Sequence, residues 1–200
     1  MKKHVIDDIN DFILPTTLEI ENELKREKYK SKYKKLLRST IYVLLVVVAL
    51  SVITATLFLP VLQIYGKSME PTLVEDDIVV SDKKNNFSTG DIIAFYYNNR
   101  ILVKRVIASS TDWVNIDEEG HVYVNNKLLK EPYLEELSLG SSDIEYPYQV
   151  PDEEYFVLGD DRVNSIDSRN SIIGTISKDD IIGEVIFRVW PFKRAGYIKQ

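Results

Sequence analysis

Three segments of this 200-residue chain carry residue types that do covalent chemistry when brought together. The first is YGKSMEPTL, Tyr65 to Leu73, in which Ser68 stands between Gly66 and Pro71. The chain bends there and can present a hydroxyl together with nearby N–H groups. A Gly-Lys-Ser triplet also ends the phosphate-binding loop, but that loop requires a glycine five places before its Gly-Lys pair, a strand before it and a helix after it. Val61 occupies that place, inside a long apolar run, so the phosphate-loop reading fails. A serine is a weak nucleophile without a neighbouring base. The chain has two histidines: His4 lies on the far side of the apolar run, and His121 follows Glu118-Glu119-Gly120 in a hairpin, as a solvated residue does. Lysine is the remaining candidate base.

The second segment is ILVKRVI, Ile101 to Ile107, which reads as a strand with Leu102, Lys104 and Val106 on one face. Two placements fit that pattern. Lys104 either reaches past the sheet edge into water, or stays on the apolar face and sheds its charge. Desolvation lowers a lysine pKa from about 10.4 toward neutrality, and a neutral amine accepts a proton from a serine hydroxyl. Arg105, on the opposite face, is expected to be an ion-pair partner. The third segment is YFVLGDDRVNSIDSR, Tyr155 to Arg169, an apolar strand running into a dense polar turn. Its Asp160, Arg162, Asp167 and Arg169 read as mutually paired charges that hold a loop rigid, and that rigidity would equally serve a reactive site.

The elements that must position these segments follow from composition. From Ser39 to Gly66 there is no charged residue, and within that stretch Ile41 to Leu62 is a run of 22 predominantly apolar residues. That is about 33 Å of helix against a bilayer core of ~30 Å. A cleaved leader is excluded by its length, by the 38 residues before Ser39 and by the lack of a small-x-small site. Leu24 to Arg38 holds eight Lys/Arg and one Glu, which keeps that side in the cytoplasm. The expected organisation is a cytoplasmic basic tail over 1–40, a transmembrane helix over 41–62, and an extracytoplasmic domain over 63–200. The segment after Pro15 has helical character. The outer part carries fifteen Lys/Arg against twenty-four acids, which argues against nucleic acid as a partner. With no cysteine and two dispersed histidines, no metal or cofactor is expected.

After residue 76 the pattern turns to short β-type runs, DIVVSD, DIIAFYY, ILVKRVI, WVNI, HVYV, YFVLGD and EVIFRVW. HVYVNNKLL reads as a hairpin about Asn125-Asn126, and 131–149 as a long loop. The fold class is thus a mostly-β domain behind one N-terminal membrane helix.

Together these segments resemble the type I signal peptidases, membrane-anchored Ser/Lys proteases of bacteria with a Gram-positive-like pattern. GKSMEPT is similar to the family's nucleophile motif, GDIIAF to a strand motif, VKRVI to the lysine motif, VYVNNKLLKEPYL to a family hairpin, and GDDRVNSIDSR to its most characteristic loop. The resemblance implies a signal-peptidase-like β fold, with Ser68 as nucleophile and Lys104 as general base. Ser165 would orient the lysine amine, Asp160, Arg162, Asp167 and Arg169 would brace the site, Met69 would pack beneath it, and the Ser68 N–H would donate to the oxyanion. It also implies signal peptides of exported preproteins as substrates, with small residues at −3 and −1, and membrane lipid and the secretion machinery as partners. Localisation would be the plasma membrane, single-pass. The alternative within the resemblance is an assembly factor or dedicated peptidase for pilin-type surface proteins. The sequence departs from the family at Gly66, where some relatives carry a serine whose hydroxyl is a second oxyanion donor, and at ASSTDW after Ile107. Ser68 follows Leu62 by six residues, which span at most ~20 Å, so the site is expected near the outer membrane surface. Trp190 and Phe192 are candidates either for an apolar surface there or for core packing.

Overall fold

The computed structural model describes residues 16–198. One helix, α1, runs over Thr17–Phe58. It starts at a capping box: the Glu19 N–H donates to Thr16 Oγ1 at 3.4 Å, and Glu19 Oε2 accepts from the Thr16 N–H at 2.8 Å. The expected tail and the expected span therefore belong, from Thr17 on, to one helix of about 63 Å. Its Thr17–Thr54 portion is long and apolar enough to cross a bilayer. The helix stops at Phe58, short of Leu62 where the apolar run ends. Pro60 is the physical cause, since proline lacks an N–H and disfavours helix at the residue before it. Val61 and Leu62, read as the end of the span, are strand instead.

Apart from two single-turn 3-10 helices, Lys178–Asp180 and Phe192–Arg194, the remaining elements among the described residues are strands. β1 (Val61–Gln63), β2 (Ile78–Asp82), β3 (Ile92–Tyr97), β4 (Arg100–Ser109), β9 (Glu154–Leu158), β10 (Ile176–Ser177) and β11 (Ile181–Trp190) form a sheet in the order β1-β2-β11-β3-β4-β9-β10, with β12 (Gly196–Tyr197) on β11. β5 (Trp113–Ile116), β6 (Val122–Val124), β7 (Lys127–Leu128) and β8 (Tyr148–Gln149) make a second sheet in the order β7-β6-β5-β8. All seven expected strand runs are present. Asn125 and Asn126, at φ 50° and 63°, form the turn of the β6–β7 hairpin, as the sequence predicts. The unusual turn after Ile107 is closed by Asp112, whose Oδ2 accepts from the Ser109 N–H at 2.9 Å and whose own N–H reaches Ser109 O.

Two pairings decide how the strand edges around Lys104 and residues 61–63 are left. β3 pairs with the whole of β4, setting Ile93 opposite Lys104 and Phe95 opposite Leu102. β9 pairs with β4 only from Arg105 onward, so the other edge of residues 100–104 has no strand partner among the described residues. β1, the first strand of the sheet, is likewise paired on one side only, with β2. Met69, Leu73, Val79, Ile92, Ala94 and Val185 form one apolar cluster beneath the Ser68 turn. A second cluster, holding Ile93, Phe95, Val106 and Val157, fills the face on which Lys104 lies. Trp190 and Phe192 are not core residues. They are 46% and 76% exposed and pack edge to face, ring centroids 4.8 Å apart.

Candidate active site

The two unpaired edges face a common groove of about 730 Å³. Residues 61–66, Ser68 and Met69 line one wall, and residues 99–104 the other. Ser68 and Lys104 therefore open onto the same space. Ser68 is half-buried at its turn, and Met69 behind it is buried in the apolar cluster. Gly66 adopts φ +80°, a conformation L side chains rarely take, so its glycine answers a backbone requirement. Its N–H donates to Glu75 Oε1 at 3.4 Å.

Lys104 stays inside. It is 3% exposed, and its Nζ donates to Ser165 Oγ at 3.0 Å. Burial pushes its amine down to about 8, and Arg169 acts in the same direction, while Asp167, Asp160 and Asp161 pull the other way. Of the two placements open to the sequence, the structure has the buried one. Arg105, on the opposite face of β4, is an ion-pair partner as expected: Nε and Nη2 donate to the two oxygens of Asp160 at 2.8 and 2.6 Å.

The loop after β9 holds both sides of the site together. The Asp161 N–H donates to Ser68 O at 3.1 Å. Gly159 is squeezed between the same carbonyl and Ser165, and a Cβ on it would lie 2.2 Å from Ser165 Oγ and 2.4 Å from Ser68 O. The Asp167 carboxylate takes the Gly159 N–H at 2.9 Å and a two-pronged contact from Arg169, with Nε and Nη2 both at 2.8 Å. Burial alone would raise the Asp167 carboxyl, but the hydrogen bonds and charge of Arg169 hold it below the usual range. Arg169 Nη1 also donates to the carbonyls of Arg162 and Leu139, each at 2.9 Å, closing the loop against the 131–147 segment. Gly140, at φ +61°, makes room for that guanidinium: a Cβ there would be 2.5 Å from Arg162 O.

Asp167 and Arg169 pair with each other, as the sequence suggested, but Asp160 and Arg162 do not. Asp160 goes to Arg105, and Arg162 pairs with Glu131. Sequence reasoning missed Glu131, and also Thr72, whose hydroxyl bonds Asp160 and whose carbonyl accepts from Arg188. Only the spacing of Thr72 from Ser68 could have suggested it. His121 lies beside Asp117, Nδ1 3.1 Å from Oδ2, just before β6 of the small sheet and outside the groove lining.

A sequence profile described as "Signal peptidase, peptidase S26" matches residues 37–190. "Signal peptidase I U" of Bacillus subtilis is 33% identical over 174 residues, 80% of this chain and 92% of its own length. "Signal peptidase I" of Bacillus amyloliquefaciens is 31% identical over 180 residues, 84% of this chain and 96% of its own. A crystal structure of a signal peptidase I from Enterococcus faecalis shares 27% identity at a TM-score of 0.41, covering 50% of this chain and 97% of that one. With the family profile spanning most of the chain and relatives above 30% identity along nearly their whole lengths, this protein belongs to the signal peptidase family.

Proposed function

We propose that the protein removes signal peptides from exported preproteins, using Ser68 as nucleophile and Lys104 as base. The observation that carries this reading is a lysine amine buried to 3% exposure, bonded to the Ser165 hydroxyl and opening onto the groove that also holds Ser68. A neutral amine that donates one N–H to Ser165 keeps its lone pair for the Ser68 proton. Ser68 Oγ attacks the scissile carbonyl as Lys104 takes that proton, and the lysine then hands it to the departing amine of the mature protein. The signal peptide remains esterified to Ser68. Water deprotonated by the same lysine attacks the ester, and the proton returns to Oγ. The Ser68 N–H, which has no partner among the described residues, is free to donate to the oxyanion. The braces from Asp160, Arg162, Asp167 and Arg169 keep Ser165 and the Ser68 turn in register.

The groove suits an extended peptide, because an added strand can pair with both unpaired edges. Ile64, Met69, Leu102 and Val103 make its wall apolar, which fits small side chains next to the cut. α1 anchors the chain in a single pass, its basic flank in the cytoplasm and residues from 63 on outside, with Trp190 and Phe192 supplying exposed aromatics of the kind that settle at a lipid interface. Lipid and the secretion machinery are the partners this placement implies.

The test is cleavage of a preprotein with an Ala-x-Ala site by the full chain in detergent, beside Ser68→Ala. Product cut after the second alanine by the parent alone is expected. Equal processing by the folded Ser68→Ala variant would sink the assignment.

A further inference from the structure

The loop that follows β7 reaches the site from behind. The Glu131 side chain is buried, 4% exposed, and both of its oxygens accept from Arg162, Oε2 from Nη1 at 3.2 Å and Oε1 from Nη2. Tyr133 donates its hydroxyl to the same Oε1 at 2.7 Å, and its ring lies 3.8 Å from Arg105 Cζ. Arg162 Nε donates to the Gly159 carbonyl at 3.0 Å, while Arg105 grips Asp160, the next residue. One tripeptide, Glu131-Pro132-Tyr133, thus steadies from two directions the peptide wedged between Ser68 and Ser165.

We propose that Glu131 is a positioning residue for Lys104, acting through Arg162 and Gly159, with Tyr133 fixing the orientation of its carboxylate. The inference rests on the Ser68/Lys104 reading above. Glu131 is the one anionic partner of the buried Arg162 guanidinium among the described residues. Without that carboxylate the cation is left buried and unpaired, a state costly enough to drive it toward water. Arg162 then releases the Gly159 carbonyl, Gly159 and Ser165 lose their fixed spacing, and water reaches the lysine amine. The charged groups around Lys104 are Asp160, Asp161 and Asp167, which favour the ammonium, and Arg169, which opposes it. Wetting weakens desolvation, the largest influence keeping the amine neutral, and leaves the three aspartates in place. The base therefore becomes harder to deprotonate.

The experiment compares the full-length parent, Glu131→Gln and Tyr133→Phe in detergent, reading kcat and KM for an Ala-x-Ala peptide from pH 6.5 to 9.5, with thermal unfolding of each. For Glu131→Gln the midpoint of kcat against pH is expected to move up by about one unit. That corresponds to roughly fivefold lower kcat at pH 8, shrinking below about twofold at pH 9.5, with KM unchanged because Glu131 does not line the groove. Tyr133→Phe keeps the ring on Arg105 and removes only the hydroxyl, so it should fold and shift the midpoint the same way by less. It decides the matter if Glu131→Gln does not fold. Unshifted midpoints in the folded variants, or a loss of kcat equal at every pH, overturn the proposal. A parent with a flat profile brings down the lysine-base reading and this inference together, whereas a parental midpoint near 8 with unmoved variants removes only the role of Glu131.

Discussion

Lys104→Met is expected to make the protein more stable at neutral pH while removing its activity. The folded protein holds the Lys104 amine at about 8 against an ordinary 10.5, chiefly through burial. At 1.36 kcal/mol per unit that gap corresponds to about 3 kcal/mol. Between pH 8 and 10.5 the unfolded chain binds a proton that the folded chain releases, so stability rises with pH across that window. Below pH 8 both states are protonated, and the folded protein carries the whole cost of a buried ammonium. Methionine fills the same stem without charge but forfeits the bond to Ser165 Oγ, worth about 1 kcal/mol. The variant should therefore be about 2 kcal/mol more stable at pH 7 and about 1 kcal/mol less stable near pH 10.5. Urea unfolding of the full chain in detergent, followed by fluorescence of the part-exposed Trp113 and Trp190, measures this directly. A variant less stable than the parent at pH 7, or a difference that does not change with pH, would refute the argument that Lys104 is kept near neutrality by burial.

Other substitutions probe the loop after β9. Gly159→Ala should cost about 1–3 kcal/mol by overpacking and lower kcat by at least ~10², since its methyl lands on Ser165 Oγ and the Ser68 carbonyl at once; thermal unfolding and single-turnover rates read the two effects. Asp167→Asn leaves the Arg169 guanidinium buried without its anion and should destabilise by about 3–5 kcal/mol. Because the Asp167 carboxyl is held low, its stabilisation is complete above the ordinary carboxylate range and fades as pH falls. The gap between this variant and its parent should accordingly narrow in acid, which urea midpoints from pH 7 to 3 would show.

What was legible in the sequence follows a physical line. Strands built on β-branched and aromatic runs between turn residues were readable, because side-chain alternation and turn chemistry are local; the Asn125-Asn126 hairpin is the clearest case. β1 was hidden, since Val61 and Leu62 are as apolar as the helix before them and only Pro60 marks the change. Alternation along β4 put Arg105 opposite Lys104 but could not say whether Lys104 stays inside, because that depends on Ser165 closing over its amine. The partners of Asp160 and Arg162 were illegible for a related reason. Charges close in sequence suggested neighbours, yet the β4–β9 register sets Arg105 opposite Leu158 and so beside Asp160, while Glu131 arrives from a segment with no periodicity to reveal it.

Main-chain amides are alike in every polypeptide. If an extended peptide fills it as proposed, a groove walled by two unpaired strand edges inspects backbone shape before side-chain identity, and the information it extracts is coarse: extended or not, slim or bulky where Ile64, Met69 and Val103 stand. Such a filter admits a wide vocabulary of sequences with a single enzyme. It also spares native proteins at no added expense in contacts, because a strand already paired in its own sheet has no edge left to offer. The same property makes the groove vulnerable, since one N-methyl group on an amide facing either edge would turn a bound peptide into one the protein can no longer read.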